Sequence, residues 1–230
     1  MACPWFWIDI VEIFSILVPV GSIMDFKIYF RGLSINDAPA INQLRLNEQY
    51  EKMIVGSRRF VPLERDQKWL EDIILKDEPS RMYMAVCEKG TDEFIGYTSI
   101  HEIDYINGRC CWSGLKIIPK ATKKLAKKLQ AKAMESGPSS INPLSRPNKG
   151  YGIQVGLLIL KYLFEELRMI RCWSVCLIDN HASKNVLDKV GFKTEGVMRN
   201  YSYKNGTAND AYLVSVTIED YKTIKKNYAL

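Results

Sequence analysis

Hydrophobic and polar positions divide the chain into short alternating runs and longer helical stripes. Asp25 to Phe30 alternates as a strand does, and Asn36-Asp37 then supplies a helix-start signal for a segment reaching about Glu51. A second helical stretch covers Glu64 to Leu75, with Trp69, Ile73 and Ile74 apolar. Three strands are predicted next. They are Met82 to Glu88, Phe94 to Ile103 and Cys110 to Ile118, with turns at Lys89-Gly90-Thr91-Asp92 and Ile106-Asn107-Gly108 and a stop at Pro119. From Ile153 the apolar residues Ile153, Leu157, Leu160, Phe164 and Leu167 fall four and three apart, one stripe along a long helix. Ile170 to Leu177 follows as a strand, and Asp179-Asn180-His181-Ala182-Ser183 opens a helix that ends at Gly191. Val197 to Tyr203 and Ala211 to Thr217 form a closing hairpin about Lys204-Asn205-Gly206, and a terminal helix starts at Ile218 or Glu219. This order predicts an α/β (α+β) sandwich built on a mixed sheet.

Two stretches break the pattern. Residues 1–23 are apolar at Trp5-Phe6-Trp7-Ile8 and from Ile13 to Val20, but Asp9 and Glu12 interrupt them and no basic residue precedes them. That is neither a secretory signal nor a spanning helix. It reads as a docking helix, a peripheral membrane contact by residues 1–20, or a tail added by an upstream start; the membrane contact is disfavoured and the tail preferred, with the domain running from Met24 to Leu230. The second stretch is 120–149, where Ala121 to Met134 is helical by composition and Gly137-Pro138-Ser139-Ser140 ends it.

Charge sharpens the second break. Of the formal net charge of +6, residues 120–149 carry +7, leaving −1 for the rest of the chain. One segment is basic, not the protein, so a nucleic-acid face spread over the fold is not expected. The lysine-rich helix is either a solvated surface element or a local anion-attracting arm. The six cysteines, Cys3, Cys87, Cys110, Cys111, Cys172 and Cys176, show no Cys-x-x-Cys spacing, and with only His101 and His181 beside them no metal site is expected. Buried free thiols in a reducing, cytoplasmic setting fit this usage.

The long helix is preceded by Lys149-Gly150-Tyr151-Gly152-Ile153. A helix start exposes unpaired N–H groups at the positive end of the peptide dipole, and glycines let a phosphate come close. On the local pattern this is either a phosphate cradle or a glycine turn before an ordinary helix.

Several motifs together resemble the GNAT superfamily of acyl-CoA N-acyltransferases, over about 200 residues from Met24. They are Lys149-Gly150-Tyr151-Gly152, the strand Gly114 to Pro119, Asn180-His181-Ala182-Ser183 with Leu187 to Phe192, and the hairpin Gly196 to Asp210 with Arg199 and Asp210. The similarity looks closest to the branch of ribosomal-protein N-terminal and related amine acetyltransferases. The resemblance implies a sheet splayed at a cleft for acetyl-CoA. Its pyrophosphate would lie on the N–H groups of Asn148, Lys149, Gly150, Tyr151, Gly152 and Ile153. Ile117 would pair its backbone with the pantetheine arm, Asn180 would bond the cofactor, and Ser183 would contact it or only cap its helix. Two departures from the family pattern stand out: Pro147 replaces a usual Gln or Arg, and a segment of about 120–147 is inserted in the cofactor loop.

Such chemistry moves an acetyl group to an amine by direct attack in a ternary complex. Many relatives use a tyrosine as general acid where this chain has Leu187. A thiol still leaves as thiolate at pH 7 for ~2 kcal/mol. Neutralising a lysine-like amine costs ~4.6 kcal/mol and an α-amine ~1 kcal/mol, which favours a protein N-terminus, an amino sugar or another small amine. Base candidates are His101 and Glu102, only one of which can face the cleft, or Asp104. The rival reading is a degenerate member that binds acyl-CoA or a partner without catalysis. A monomer and a homodimer both remain open.

Overall fold

The computed structural model describes residues 25–57, 59–76, 78–118 and 150–230. The expected N-terminal extension, the lysine-rich insertion and candidates Asn148 and Lys149 lie outside the described residues. Seven strands form one sheet in the order β1-β2-β3-β4-β5-β7-β6. They are β1 (Ile28–Arg31), β2 (Met82–Glu88), β3 (Phe94–Asp104), β4 (Arg109–Ile117), β5 (Arg171–Leu177), β6 (Lys193–Lys204) and β7 (Thr207–Thr217). Every neighbouring pair is antiparallel except β4 with β5. The mixed α/β sheet expected from the sequence is thus present.

Helices cover both faces. One face carries α1 (Ala38–Leu46) and α3 (Leu63–Leu75), packed through Ala38, Ile41 and Leu70 against Phe94 and Tyr97 of β3. The other carries the main core. There α4 (Tyr151–Lys161), α5 (His181–Lys189) and α6 (Ile218–Tyr228) bury Val155, Leu160, Leu187 and Ile224 with Trp112 and Val214 of the sheet. Burial of such side chains stabilises by roughly 1.5–3 kcal/mol each.

Several boundaries differ from the sequence expectation, each for a local reason. The first helix does not run unbroken to Glu51. Asn47 adopts an extended ψ of 105° after α1, and its Oδ1 accepts from the Tyr50 N–H at 3.4 Å, restarting the chain as α2 (Glu48–Met53). β1 begins at Ile28 rather than Asp25. The long stripe ends its α-helical part at Lys161, and a π-type turn over Tyr162–Glu166 lets the adjacent Leu163 and Phe164 both stay buried. The closing hairpin is longer than its apolar runs, because Asn205 and Gly206 both take positive φ and make a tight two-residue turn that pairs strands to the tip.

Candidate functional site

The two parallel strands at the centre of the sheet part company. β4 and β5 pair only at Arg109 with Arg171, Cys110 with Cys172 and Cys111 with Trp173. Beyond them a side chain makes the last tie, as the Ser174 hydroxyl donates to the Trp112 carbonyl at 2.8 Å. Past Trp112 the strands diverge.

A bulge in β4 starts the divergence. Ser99 faces Gly114 while Ile100 faces Trp112, so Ser113 is the extra residue without a partner on β3. The rest of β4 then presents its main chain to the gap. Ile118 N–H donates to Ile95 on β3 at 2.7 Å, so by the alternation of a strand Leu115 and Ile117 turn their N–H and C=O groups away from β3. This is where the resemblance puts an extended ligand arm, at Ile117. In the sequence Ser113 shows only as a small polar residue followed by glycine inside an apolar run, which is a bulge signal.

The gap leads to the start of α4. Gly150 is its N-cap with φ 91°, a left-handed conformation that suits glycine. The first intrahelical bond is from Gln154 N–H to Gly150 at 3.0 Å, so the N–H groups of Gly152 and Ile153 precede the helical ladder. Gly152 serves packing as well. A Cβ there would come within 3.1 Å of Val186 and 3.8 Å of Leu115, so its absence lets α4 sit against both β4 and α5. The Tyr151 side chain points inward and bonds Glu88, which pushes its phenol up to about 12. Gln154 accepts from the Lys27 N–H at 2.8 Å. These ties fix the donor-bearing end of α4 to the edge of β1 and β2.

Asn180 and Ser183 stand across the gap at the start of α5, but as one motif. Asn180 is the cap: its Oδ1 accepts from the Ser183 N–H at 3.0 Å. Its Nδ2 donates to the Met53 carbonyl at 2.8 Å. That second bond belongs to a strap. The α2 segment crosses from β4 to α5, with the Tyr50 hydroxyl donating to the Ile117 carbonyl and Lys116 Nζ 3.1 Å from Glu51. Lys204 at the end of β6 holds the following loop through the Ile54 and Gly56 carbonyls at 2.7 and 2.9 Å. Two groups expected to serve a cofactor, the Ile117 carbonyl and the Asn180 amide, are therefore engaged by α2 and its loop.

The base candidates separate. His101 lies opposite Cys111, the last β4 residue paired with β5, on the face that carries α1 and α3. Its ring meets Tyr83 edge-on at 5.4 Å between centroids, and Tyr83 meets Trp69 in the same way. Its Nε2 is buried with no hydrogen-bond partner among the described residues. Burial, followed by the Arg81 charge, holds its pKa below the ordinary histidine value, so the imidazole is neutral at pH 7. Glu102 is exposed, with φ 52° in a bulge where β3 slips against β4 between His101 and Asp104. Asp104 is occupied by the Asn107 turn and by Arg109 at 3.2 Å. Leu187 is buried in the core and offers no proton. Among the described residues no group of His, Cys, Asp and Glu is arranged to hold a metal ion, and the described cysteines are free and buried.

A family model described as "Acetyltransferase (GNAT) domain" matches residues 27–193. The uncharacterized N-acetyltransferase YoaA of Bacillus subtilis (strain 168) is 39% identical over 67 residues, 29% of this chain and 38% of that protein's length. Among solved structures, the spermidine N-acetyltransferase of Vibrio cholerae in complex with CoA and spermine superposes with a TM-score of 0.67 at 16% identity, over 85% of this chain and 98% of that one. A dodecameric structure of the spermidine N-acetyltransferase from the same organism gives 0.61 at 16% identity, over 85% and 96%. At such identity these structures speak for the fold. The family match, spanning most of the chain, establishes that the protein belongs to the GNAT acetyltransferase family, a family of acyltransferases.

Proposed function

We propose that the protein is an acetyl-CoA-dependent N-acetyltransferase acting on a primary amine. One observation carries the reading: the bulge at Ser113 opens β4 from β5 and turns the Leu115 and Ile117 main chain toward a gap that ends on the first turn of α4. An amide-bearing pantetheine arm fits the first part as an added strand, and a pyrophosphate fits the second. When bound, acetyl-CoA supplies the activated thioester. The chain supplies position, an N–H environment for the carbonyl oxygen near the bulge, and the neutral His101 imidazole to take the proton of an incoming ammonium. The thiolate departs without a tyrosine, since Leu187 stands in its place.

The acceptor is a small amine or a protein N-terminus. The solved relatives named above are spermidine N-acetyltransferases, so a polyamine belongs in the acceptor panel beside α-amino peptides from the expected ribosomal-protein branch. A cytoplasmic site and the absence of a nucleic-acid partner complete the reading. Calorimetric titration with acetyl-CoA, followed by thiol release over that panel, tests it. Binding with turnover on at least one amine is expected, and absence of acetyl-CoA binding defeats it. The engagement of the Ile117 carbonyl and Asn180 by α2 favours a second reading, a cleft that binds acyl-CoA without catalysis. Binding with no thiol release on any amine would select that one.

A further inference from the structure

Two lysines with largely covered side chains reach the α2 segment beside the gap. Lys116 lies between Leu115 and Ile117, opposite Tyr97 and so on the face that carries α1 and α3. Its Nζ is 3.1 Å from Glu51, with the two side chains 13% and 8% exposed. Lys204 reaches the same place from the hairpin and is 7% exposed. Its ammonium is held by the Ile54 and Gly56 carbonyls, which are neutral. Burial lowers its pKa, and because Ile54 and Gly56 follow Glu51 within five residues, both lysines meet the same α2 segment. Among the described residues, Glu51 is the one carboxylate paired with either lysine, a surplus of one positive charge. Glu48, one turn before Glu51 on α2, pairs with Lys52 at 3.2 Å.

A buried charge with no counter-charge is costly, and proteins normally complete it with an ion of opposite sign. Resting on the acetyl-transfer reading above, we propose that Lys116 and Lys204, at the α2 segment that holds Glu51, receive one anionic oxygen group, a carboxylate or a phosphate, of a ligand in the cleft. Two ligands can bring such a group: the acceptor amine through an acidic tail, or the cofactor through a phosphate. Spacing bears on the first. Tyr97, opposite Lys116, and His101 are four residues apart on one face of β3, ~13 Å along the strand. An amine presented to His101 thus meets the lysines with a tail about as long as a short extended peptide. A polycation of the same length meets a positive charge there.

The test uses the full chain and matched acceptors: tetraglycine, its C-terminal amide, and spermidine, with acetyl-CoA as donor. Turnover on any of them, or acetyl-CoA binding alone, reports on the proposed function separately from the lysines. For an acceptor tail, kcat/KM is expected to favour tetraglycine over its amide on the order of tenfold, the size of one charge-assisted hydrogen bond. Glu51→Gln removes the counter-charge of Lys116 and should raise that preference. The triple variant Lys116→Met, Lys204→Met and Glu51→Gln removes all three charges together, leaving none orphaned, and should collapse it. For a cofactor phosphate, the same variants should instead shift binding of CoA but not of 3′-dephospho-CoA, in opposite directions, measured by calorimetry without an acceptor. Melting curves confirm that each variant is folded. The proposal is overturned if both variants leave both acceptor preference and CoA binding as in the parent protein.

Discussion

Ser174 holds Trp112 across the point where β4 and β5 separate: its hydroxyl donates to the Trp112 carbonyl at 2.8 Å, and both residues are buried. The ladder ends one residue earlier on each strand, at Cys111 and Trp173. This single side-chain bond marks the apex of the gap, while the Trp112 ring is fixed on the other face by Thr98 through its Nε1 at 2.8 Å.

Ser174→Ala leaves the Trp112 carbonyl buried and unpaired. The cost should be about 1–3 kcal/mol, the penalty for an orphaned buried polar group. Urea denaturation should show a lower midpoint with an unchanged slope. Because the apex loosens, the KM for acetyl-CoA should rise as well. A Ser174→Thr variant that keeps the hydroxyl should recover most of both.

His101 titrates below the ordinary histidine value because burial and Arg81 disfavour its charged form. If it takes the proton of the acceptor, kcat should fall only when the pH drops below about 6.5, where the imidazole begins to protonate. His101→Gln should lower kcat by roughly 10²-fold or more and abolish that acid limb. Glu102→Gln, at an exposed position, should change kcat by less than about twofold. Stability gives a separate reading. A histidine whose folded pKa is depressed favours the folded state above the unfolded pKa, and that contribution is lost as the pH falls from about 6.5 through the folded value. The parent protein should therefore lose stability over this range more steeply than His101→Gln, measured by melting temperature against pH.

The apolar stripe from Ile153, the turn signals and the Asn180 to Phe192 motif made the sheet, its helices and the gap's two rims legible in the sequence. These are local patterns, and local propensity decides them. What stayed hidden depends on contacts between distant residues. Tyr50 lies 67 positions from Ile117, and Asn180 lies 127 from Met53, and nothing in the spacing of either pair announces the strap. The meeting of Lys116 and Lys204 at the α2 segment is hidden for the same reason. Burial alone told His101 from Glu102, since adjacent strand residues look alike until a bulge turns one of them out.

Asn180 performs two tasks with two atoms, so two substitutions separate them. Asn180→Asp keeps the oxygen that caps α5 and loses the amide that holds Met53. Asn180→Ala loses both. The alanine variant should be destabilised by about 1 kcal/mol, the usual worth of an N-cap, while the aspartate variant should stay near the parent. Both free the loop after α2, so both should raise the acceptor KM alike. Equal KM values in the parent and in Asn180→Asp would mean that the strap does not shape the acceptor site.

Tyr50 occupies the Ile117 carbonyl, the acceptor that an added strand would use. Burial raises the Tyr50 phenol pKa, so the group stays protonated and remains a donor throughout the neutral range. Tyr50→Phe keeps the ring packed and deletes the donor. If pantetheine pairs with Ile117, removal of this competitor should tighten acetyl-CoA binding severalfold, about the net worth of one hydrogen bond of ~1 kcal/mol. If Tyr50 instead orders the strap over an already bound cofactor, the same variant should weaken binding. Calorimetry on the two proteins decides the sign. The first outcome makes α2 a cover that acetyl-CoA must move, which predicts that the acceptor binds productively only after the cofactor, seen as intersecting lines in initial-rate plots and as acceptor binding that requires CoA.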